Sequence, residues 1–138
     1  MRSTVVRVRT GSTEVVTDLT GACERFLAEN SDGRPDGLLS IFTPHATAGL
    51  ALLELGSGSD DDLLAALRDL LPADGRWRHA HGSCGHGRSH VLPALVAPSL
   101  TIPVVDGKMT LGTWQAVALV DLNVDNTERS VRLSFLAG

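Results

Sequence analysis

Residues 4–9, Thr-Val-Val-Arg-Val-Arg, carry the two-residue apolar/polar period of a strand with one solvated face. Gly11-Ser12 marks a turn and residues 13–17 read as a second strand, so the chain is expected to open with a hairpin. After Asp18, a candidate N-cap, the period changes. Leu19, Ala22, Cys23, Phe26 and Leu27 recur at helical spacing and form one core-facing stripe, which Asn30-Ser31-Asp32-Gly33 ends. Residues 37–43 are almost wholly apolar and predict a central strand buried on both faces. Pro44 and His45 close that run, and a second apolar run over residues 50–53 ends at Glu54.

A second helix opens at Ser59-Asp60-Asp61-Asp62, with carboxylates against the positive end of the helix dipole. Leu63, Leu67, Leu70 and Leu71 are its expected buried stripe and Pro72 its end. Residues 91–96 suit a short helix with Pro93 in the first turn. The remainder reads as β. Residues 99–105 form a strand, Asp106-Gly107 turns it, and residues 109–111 return. Residues 116–120 and 129–136 are further strands on either side of a polar loop. About seven strands and two or three helices, without βαβ alternation, predict a single α+β domain over residues 1–138, its largely antiparallel sheet carrying helices on one face.

Charge narrows the partners. A net charge of -4 and a pI near 5.6 exclude the basic surface that nucleic acid or an anionic membrane would require. The N-terminus has no apolar signal region and no run is long enough to span a bilayer, so the expected compartment is the cytoplasm. The two cysteines, Cys23 and Cys84, do not indicate a disulfide framework.

The chemistry concentrates after the second helix. Four of the five histidines lie in Trp77-Arg78-His79-Ala80-His81-Gly82-Ser83-Cys84-Gly85-His86-Gly87-Arg88-Ser89-His90. Such a loop either wraps a metal ion or an anion, or is merely solvated and flexible; the histidine density and the apolar anchor Trp77 favour the first. Imidazole nitrogens suit zinc, nickel, copper or iron rather than magnesium. Three histidines and a vacancy would make a catalytic style of site. Cys84 ranks below the histidines as a ligand. Elsewhere each candidate has two readings. Glu54 is a general base or ligand orienter, or a solvated strand end. Thr47, Gly49, Gly112 and Thr113 bind an anion or make tight turns. Trp114 and Gln115 wall a pocket or plug the core, and Arg129 clamps an anion or is a surface charge.

Taken together, His45-Ala46-Thr47-Ala48-Gly49-Leu50 with Glu54, Trp77-Arg78-His79, His90, Ile102-Pro103, Gly107 and Leu111-Gly112-Thr113-Trp114-Gln115 resemble the YjbQ family, also called secondary thiamine-phosphate synthases. The resemblance covers residues 37–136. It implies an α+β homotrimer with a histidine-lined metal pocket, His45, His79 and His90 being the ligands and a divalent ion, zinc favoured, the cofactor. It leaves His81 and His86 as extras. Glu54 and Gln115 become the candidate catalytic side chains, and Thr47, Gly49, Gly112, Thr113, Trp114 and Arg129 the substrate-binding ones. The attributed side activity joins hydroxymethylpyrimidine diphosphate to thiazole phosphate; a small phosphorylated molecule is thus the expected partner. The alternative is a metal- or small-molecule-binding module without turnover. Several rim groups depart from the family pattern: Ala46 and Leu53 replace polar residues, His86 replaces Asp or Asn, Asp121 stands for a glutamate, and the C-terminal arginines thin to Arg129 and Arg132.

Overall fold

The computed structural model describes residues 1–31 and 36–138. In chain order the elements are β1 (Arg2–Arg9), β2 (Val15–Asp18), α1 (Thr20–Asn30), β3 (Gly37–Phe42), β4 (Ala48–Leu53), α2 (Ser59–Leu70), a 3₁₀ turn (His86–His90), α3 (Leu92–Leu95), β5 (Ser99–Val105), β6 (Lys108–Met109), β7 (Ala116–Asp121) and β8 (Glu128–Ala137). The strands form a five-stranded sheet, β1-β8-β3-β5-β6, and a three-stranded sheet, β2-β7-β4. Every pairing is antiparallel, and the fold is the α+β domain the pattern predicts. No helix among the described residues is long and apolar enough to cross a membrane.

The expected opening hairpin does not form. β1 pairs with β8, Val5 opposite Arg132, while β2 pairs with β7 in the other sheet, Val15 opposite Asp121. The cause lies at the turn. The N–H groups of Thr10 and Gly11 both donate to the Thr127 carbonyl, at 2.9 and 3.1 Å, in the connection from β7 to β8. Gly11 takes a φ of 73° there. The chain is thereby handed from one sheet to the other instead of folding back on itself.

β3 is central, as expected, but covered on one face only. Leu39 and Ile41 are fully buried, whereas Leu38 and Phe42, on the opposite face, remain 44% and 41% exposed. The helical stripes follow their periodicity more closely. In α1 Cys23, Phe26 and Leu27 are buried and Asp18 Oδ1 accepts the Thr20 N–H at 2.8 Å. The Asp32 and Gly33 of the expected stop signal lie outside the described residues. In α2 the buried set is Leu64, Leu67 and, just past its end, Leu71; Leu70 is 63% exposed, so the stripe sits one position round from the expected one.

Two apolar clusters result. The first joins α1 to both sheets, through Leu39, Ile41, Val131 and Leu133 on one side and Leu50, Val117 and Leu119 on the other. The second packs Leu64, Leu67, Leu71 and Leu92 against Val120 and Leu122. β7 therefore contributes Val117 and Leu119 to one cluster and Val120 to the other, the alternation of a strand buried on both faces. Each fully buried Leu or Val stabilises by about 1.5–3 kcal/mol relative to exposure. The second cluster is the platform for the histidine loop. Trp77 packs on it and its indole N–H donates to the Pro72 carbonyl at 2.8 Å. Both cysteines are free, and burial pushes the Cys23 thiol up to about 12.

Candidate metal centre

The loop after α2 has almost no apolar residue beyond Trp77, so it cannot fold by burial. It folds by turns and by polar anchors. Gly82 and Gly85 take φ values of 79° and 74°, the left-handed region open to glycine, and reverse the chain twice within four residues. The result brings His79, His81, His86 and His90 to one point, where one ring nitrogen from each lies within 4.8 Å of all the others. The Nε2 atoms of His79 and His81 are 2.5 Å apart and those of His86 and His90 are 3.1 Å apart. Ring centroids are separated by 3.9 to 6.0 Å. Burial, followed by the neighbouring His79, His86 and His81, holds the His90 imidazole below its ordinary value. Neutral imidazole is the form that ligates a metal.

Three contacts fix this arrangement. Asp125, in the β7–β8 connection, accepts on Oδ2 from His86 Nδ1 at 2.6 Å and from the N–H and hydroxyl of Ser83 at 3.1 Å each. The Ser83 N–H, working against burial, together with the His86 and Ser83 side chains keeps the Asp125 carboxyl below its usual range. Beneath the 3₁₀ turn, the Arg88 guanidinium donates to the Leu71 carbonyl at 3.1 Å and pairs with Glu14, which also receives Arg68. Burial raises the Glu14 carboxyl, but the Arg88 and Arg68 hydrogen bonds outweigh it and lower it overall. Finally, Gly87 admits the chain of His79. A Cβ there would lie 2.4 Å from the His79 carbonyl oxygen and 2.5 Å from Trp77 Cβ.

The donor set fits a metal ion. A tetrahedral zinc site with Zn–N bonds of 2.0–2.1 Å has nitrogen–nitrogen edges of about 3.3 Å. The His79–His81 and His86–His90 nitrogen pairs, at 2.5 and 3.1 Å, lie just below that value, and one nitrogen from each of the four rings lies within 4.8 Å of the others. Four nitrogens and no oxygen favour zinc, copper or nickel over calcium or magnesium. A cavity of about 190 Å³ opens beside the cluster, lined in part by Trp77, His79, Ser83, Cys84 and His86.

The other expected site residues fall elsewhere. His45 is not among the four clustered rings; its Nε2 accepts the Ser130 N–H at 2.9 Å, so the proton is on Nδ1. Burial first, then Arg129, lower its pKa, with Asp121 opposing. Thr47 is 6% exposed and its hydroxyl meets the Asn123 amide at 3.2 Å. Arg129 is not a surface charge. It is 3% exposed and donates from Nε at 2.6 Å and Nη2 at 3.1 Å to the fully buried Asp121. Gly49 serves a close approach, since a Cβ there would sit 2.1 Å from the Val96 carbonyl oxygen. Glu54 accepts from the Ser57 hydroxyl at 3.0 Å. Gln115 Oε1 accepts the Gly112 N–H at 2.8 Å and closes a turn through the exposed Thr113 and Trp114; the indole, 73% exposed, does not plug the core, while Gln115 lines a cavity with Leu111 and Met109.

Of the expected ligands, then, the fold brings His79 and His90 together, and it joins to them His81 and His86, which the family pattern leaves over. Asp125 was hidden in a stretch that reads simply as polar loop. The alternation Asp121-x-Asn123-x-Asp125 is the signal that could have found it, because each carboxylate or amide anchors the backbone two residues on: Asp121 the Asn123 N–H at 2.9 Å, Asn123 the Asp125 N–H at 2.8 Å.

Known proteins place the chain. A family model described as UPF0047 protein YjbQ-like matches residues 4–138. A UPF0047 protein of Mycobacterium tuberculosis (strain ATCC 25618 / H37Rv) is 54% identical over the whole of both chains. One from Archaeoglobus fulgidus is 27% identical over 90% of this chain and 94% of its own. Among solved structures, a hypothetical protein of Aeropyrum pernix K1 superposes with a TM-score of 0.87 at 32% identity, covering all of both chains. A YbjQ-like protein of unknown function from Sulfolobus solfataricus P2 shares the fold, with a TM-score of 0.90 at 24% identity over 99% of this chain and 97% of that one. The fold is thus that of a known group, and this chain belongs to the YjbQ-like UPF0047 family.

Proposed function

We propose that the protein binds one divalent metal ion, zinc favoured, through His79, His81, His86 and His90. The observation that carries this reading is the convergence of four imidazole nitrogens within 4.8 Å on a loop with hardly any apolar reason to fold. Four ligands fill a tetrahedron, which suits a site that holds its ion rather than one with a standing vacancy. Binding free energy of this kind also orders the loop that supplies it.

A metal-assisted reaction on a small phosphorylated molecule is the second reading. The cavity beside His79 and His86, about 190 Å³, favours it. That volume is below the roughly 300–1,000 Å³ of ordinary ligand pockets and suits a phosphate group better than a whole thiamine precursor. The thiamine-phosphate synthase side activity, with His45, His79 and His90 as ligands and Glu54 and Gln115 in catalytic roles, is the finer form of this reading. A homotrimer in the cytoplasm completes the proposal; the exposed Val5, Leu38, Phe42 and Leu136 on the uncovered face of the five-stranded sheet support self-association.

Metal analysis and cobalt titration of the purified chain decide between ligand sets. The expected result is one ion per chain, with His81→Ala and His86→Ala each weakening binding and His45→Ala leaving it intact. Binding lost in His45→Ala but kept in His81→Ala restores the three-ligand set. No stoichiometric metal at neutral pH removes the metal from the function altogether.

A further inference from the structure

Asp125 lies outside the histidine loop, yet one of its oxygens takes three hydrogen bonds from that loop. Its position is set from the far side. The Asp125 N–H is held by Asn123 Oδ1, and the Asn123 N–H by the buried Asp121, so the carboxylate is carried on the rigid end of β7. The loop, for its part, is shaped to receive it. At Gly82, with φ +79°, a Cβ would stand 2.7 Å from Asp125 Oδ2 and 3.0 Å from the His86 ring, so only a glycine lets the carboxylate and imidazole meet. The His86 side chain is only 7% exposed, although His79, His81, Ser83 and Cys84 of the same loop are exposed.

We infer that Asp125 is a positioning residue of the metal centre: it holds the His86 proton on Nδ1 and so presents Nε2, the nitrogen facing His90, to the cation. This rests on the metal-binding reading above. A neutral imidazole has one N–H, and the nitrogen bearing it cannot ligate. In free solution both tautomers exist and the ring turns about two bonds. A carboxylate 2.6 Å from Nδ1 selects the tautomer and fixes the ring plane. Such partners typically change metal affinity by about 10–100-fold. Ser83 serves the same end by holding Asp125 Oδ2 from two further donors.

The test uses cobalt(II) as the probe, read by its visible absorption in competition with a chelator, on the full-length chain. Asp125→Asn is nearly isosteric but no longer offers a carboxylate to Nδ1–H. It is expected to weaken cobalt binding about 10–100-fold. In a His86→Ala background the same substitution should change affinity by less than about twofold, because the partner it acts through is gone. Unchanged affinity in Asp125→Asn overturns the inference. So does an equal loss in both backgrounds, which would make Asp125 only a loop fastener. If the wild-type chain takes up no cobalt, the metal reading fails first, and the tautomer then judges Asp125 separately. Nitrogen-15 spectra of the metal-free protein at pH 8 should show His86 protonated at Nδ1; protonation at Nε2 overturns the inference. The same spectra serve if Asp125→Asn does not fold.

Discussion

Two polar centres share the β7–β8 connection, one bracketing it through Asp121 and Arg129 and the other built on Asp125 within it, and they are built on contrary plans. Around Asp121 every group is matched: Arg129 lies on both carboxylate oxygens, Asn123 donates its N–H to Asp121 and reaches Thr47 and Asn126, and His45 accepts from Ser130. Asp121, Arg129, Asn123 and Thr47 are all at most 6% exposed. Around His86 the matching is incomplete by design. Ring nitrogens point at one another, and the external partner, Asp125, itself held by Ser83, meets only the rear of one ring. A closed network leaves no group free to take a ligand, whereas four convergent ring nitrogens could hold a metal ion. The residue types alone do not separate the two, since histidine, aspartate and serine or threonine occur in both.

Breaking the closed centre should have the largest effect. Arg129→Met leaves the Asp121 carboxylate fully buried without its counter-charge, and removing one partner of such a pair destabilises by about 3–5 kcal/mol. Urea unfolding measures this. If the contrast holds, the folded fraction of the variant keeps its metal affinity, because none of the four clustered rings touches Arg129 or Asp121 through a side-chain hydrogen bond.

Next in size is the anchor under the open centre. Glu14→Gln removes the charge that Arg88 and Arg68 share, with an expected loss of about 1.5–3 kcal/mol. The pH dependence has a definite sign. Glu14 has a lowered folded-state pKa, so its contribution is full above the unfolded value of 4.5 and disappears as pH falls through the lower folded value. Wild type and Glu14→Gln should therefore differ in unfolding free energy at pH 7 and converge in acid. Parallel curves down to the acid limit would mean the carboxylate contributes nothing through its charge.

Much of this was legible beforehand, for identifiable reasons. The α1 stripe, the Asp106-Gly107 turn, β5 and β8 follow from local period and turn chemistry. The separation of β1 from β2 does not, because it depends on Thr127, more than a hundred residues away, capturing the Thr10 and Gly11 N–H groups. The solvent face of β3 is invisible for a similar reason: Leu38 and Phe42 look like core in sequence, and only the packing of the whole sheet leaves them exposed. In the metal centre, composition pointed to the loop and the family pattern to His79 and His90. Neither showed that the two left-handed glycines, Gly82 and Gly85, fold His81 and His86 back onto them. Asp125 was hidden because its role is long-range, reaching Ser83 and His86 across the gap between loop and sheet.

Gly87→Ala sharpens the contrast from within the open centre. Its Cβ would collide with the His79 carbonyl and with Trp77, so the loop segment carrying His79 must shift; overpacking of this kind destabilises by about 1–3 kcal/mol. Because the displaced chain carries a ligand, cobalt affinity should fall along with stability. Gly49→Ala, which meets the Val96 carbonyl instead, should lower stability and spare affinity. Equal effects of the two on metal binding would mean that the loop takes its shape from the global fold rather than from its own packing.

The smallest effect is expected from the most conspicuous side chain. Trp114 sits at the exposed tip of the Gly112–Gln115 turn, 73% accessible, while the turn is closed beneath it by the Gln115 carboxamide and the Gly112–Gln115 backbone bond. A side chain so placed adds little to the stability of a single chain, and Trp114→Ala should change unfolding free energy by no more than about 0.5 kcal/mol. Measuring it across a hundredfold range of protein concentration makes the experiment informative. A concentration-independent result within that limit leaves the indole facing solvent. A larger loss that grows with concentration places it against a second copy, since only an association equilibrium makes stability depend on the amount of protein present.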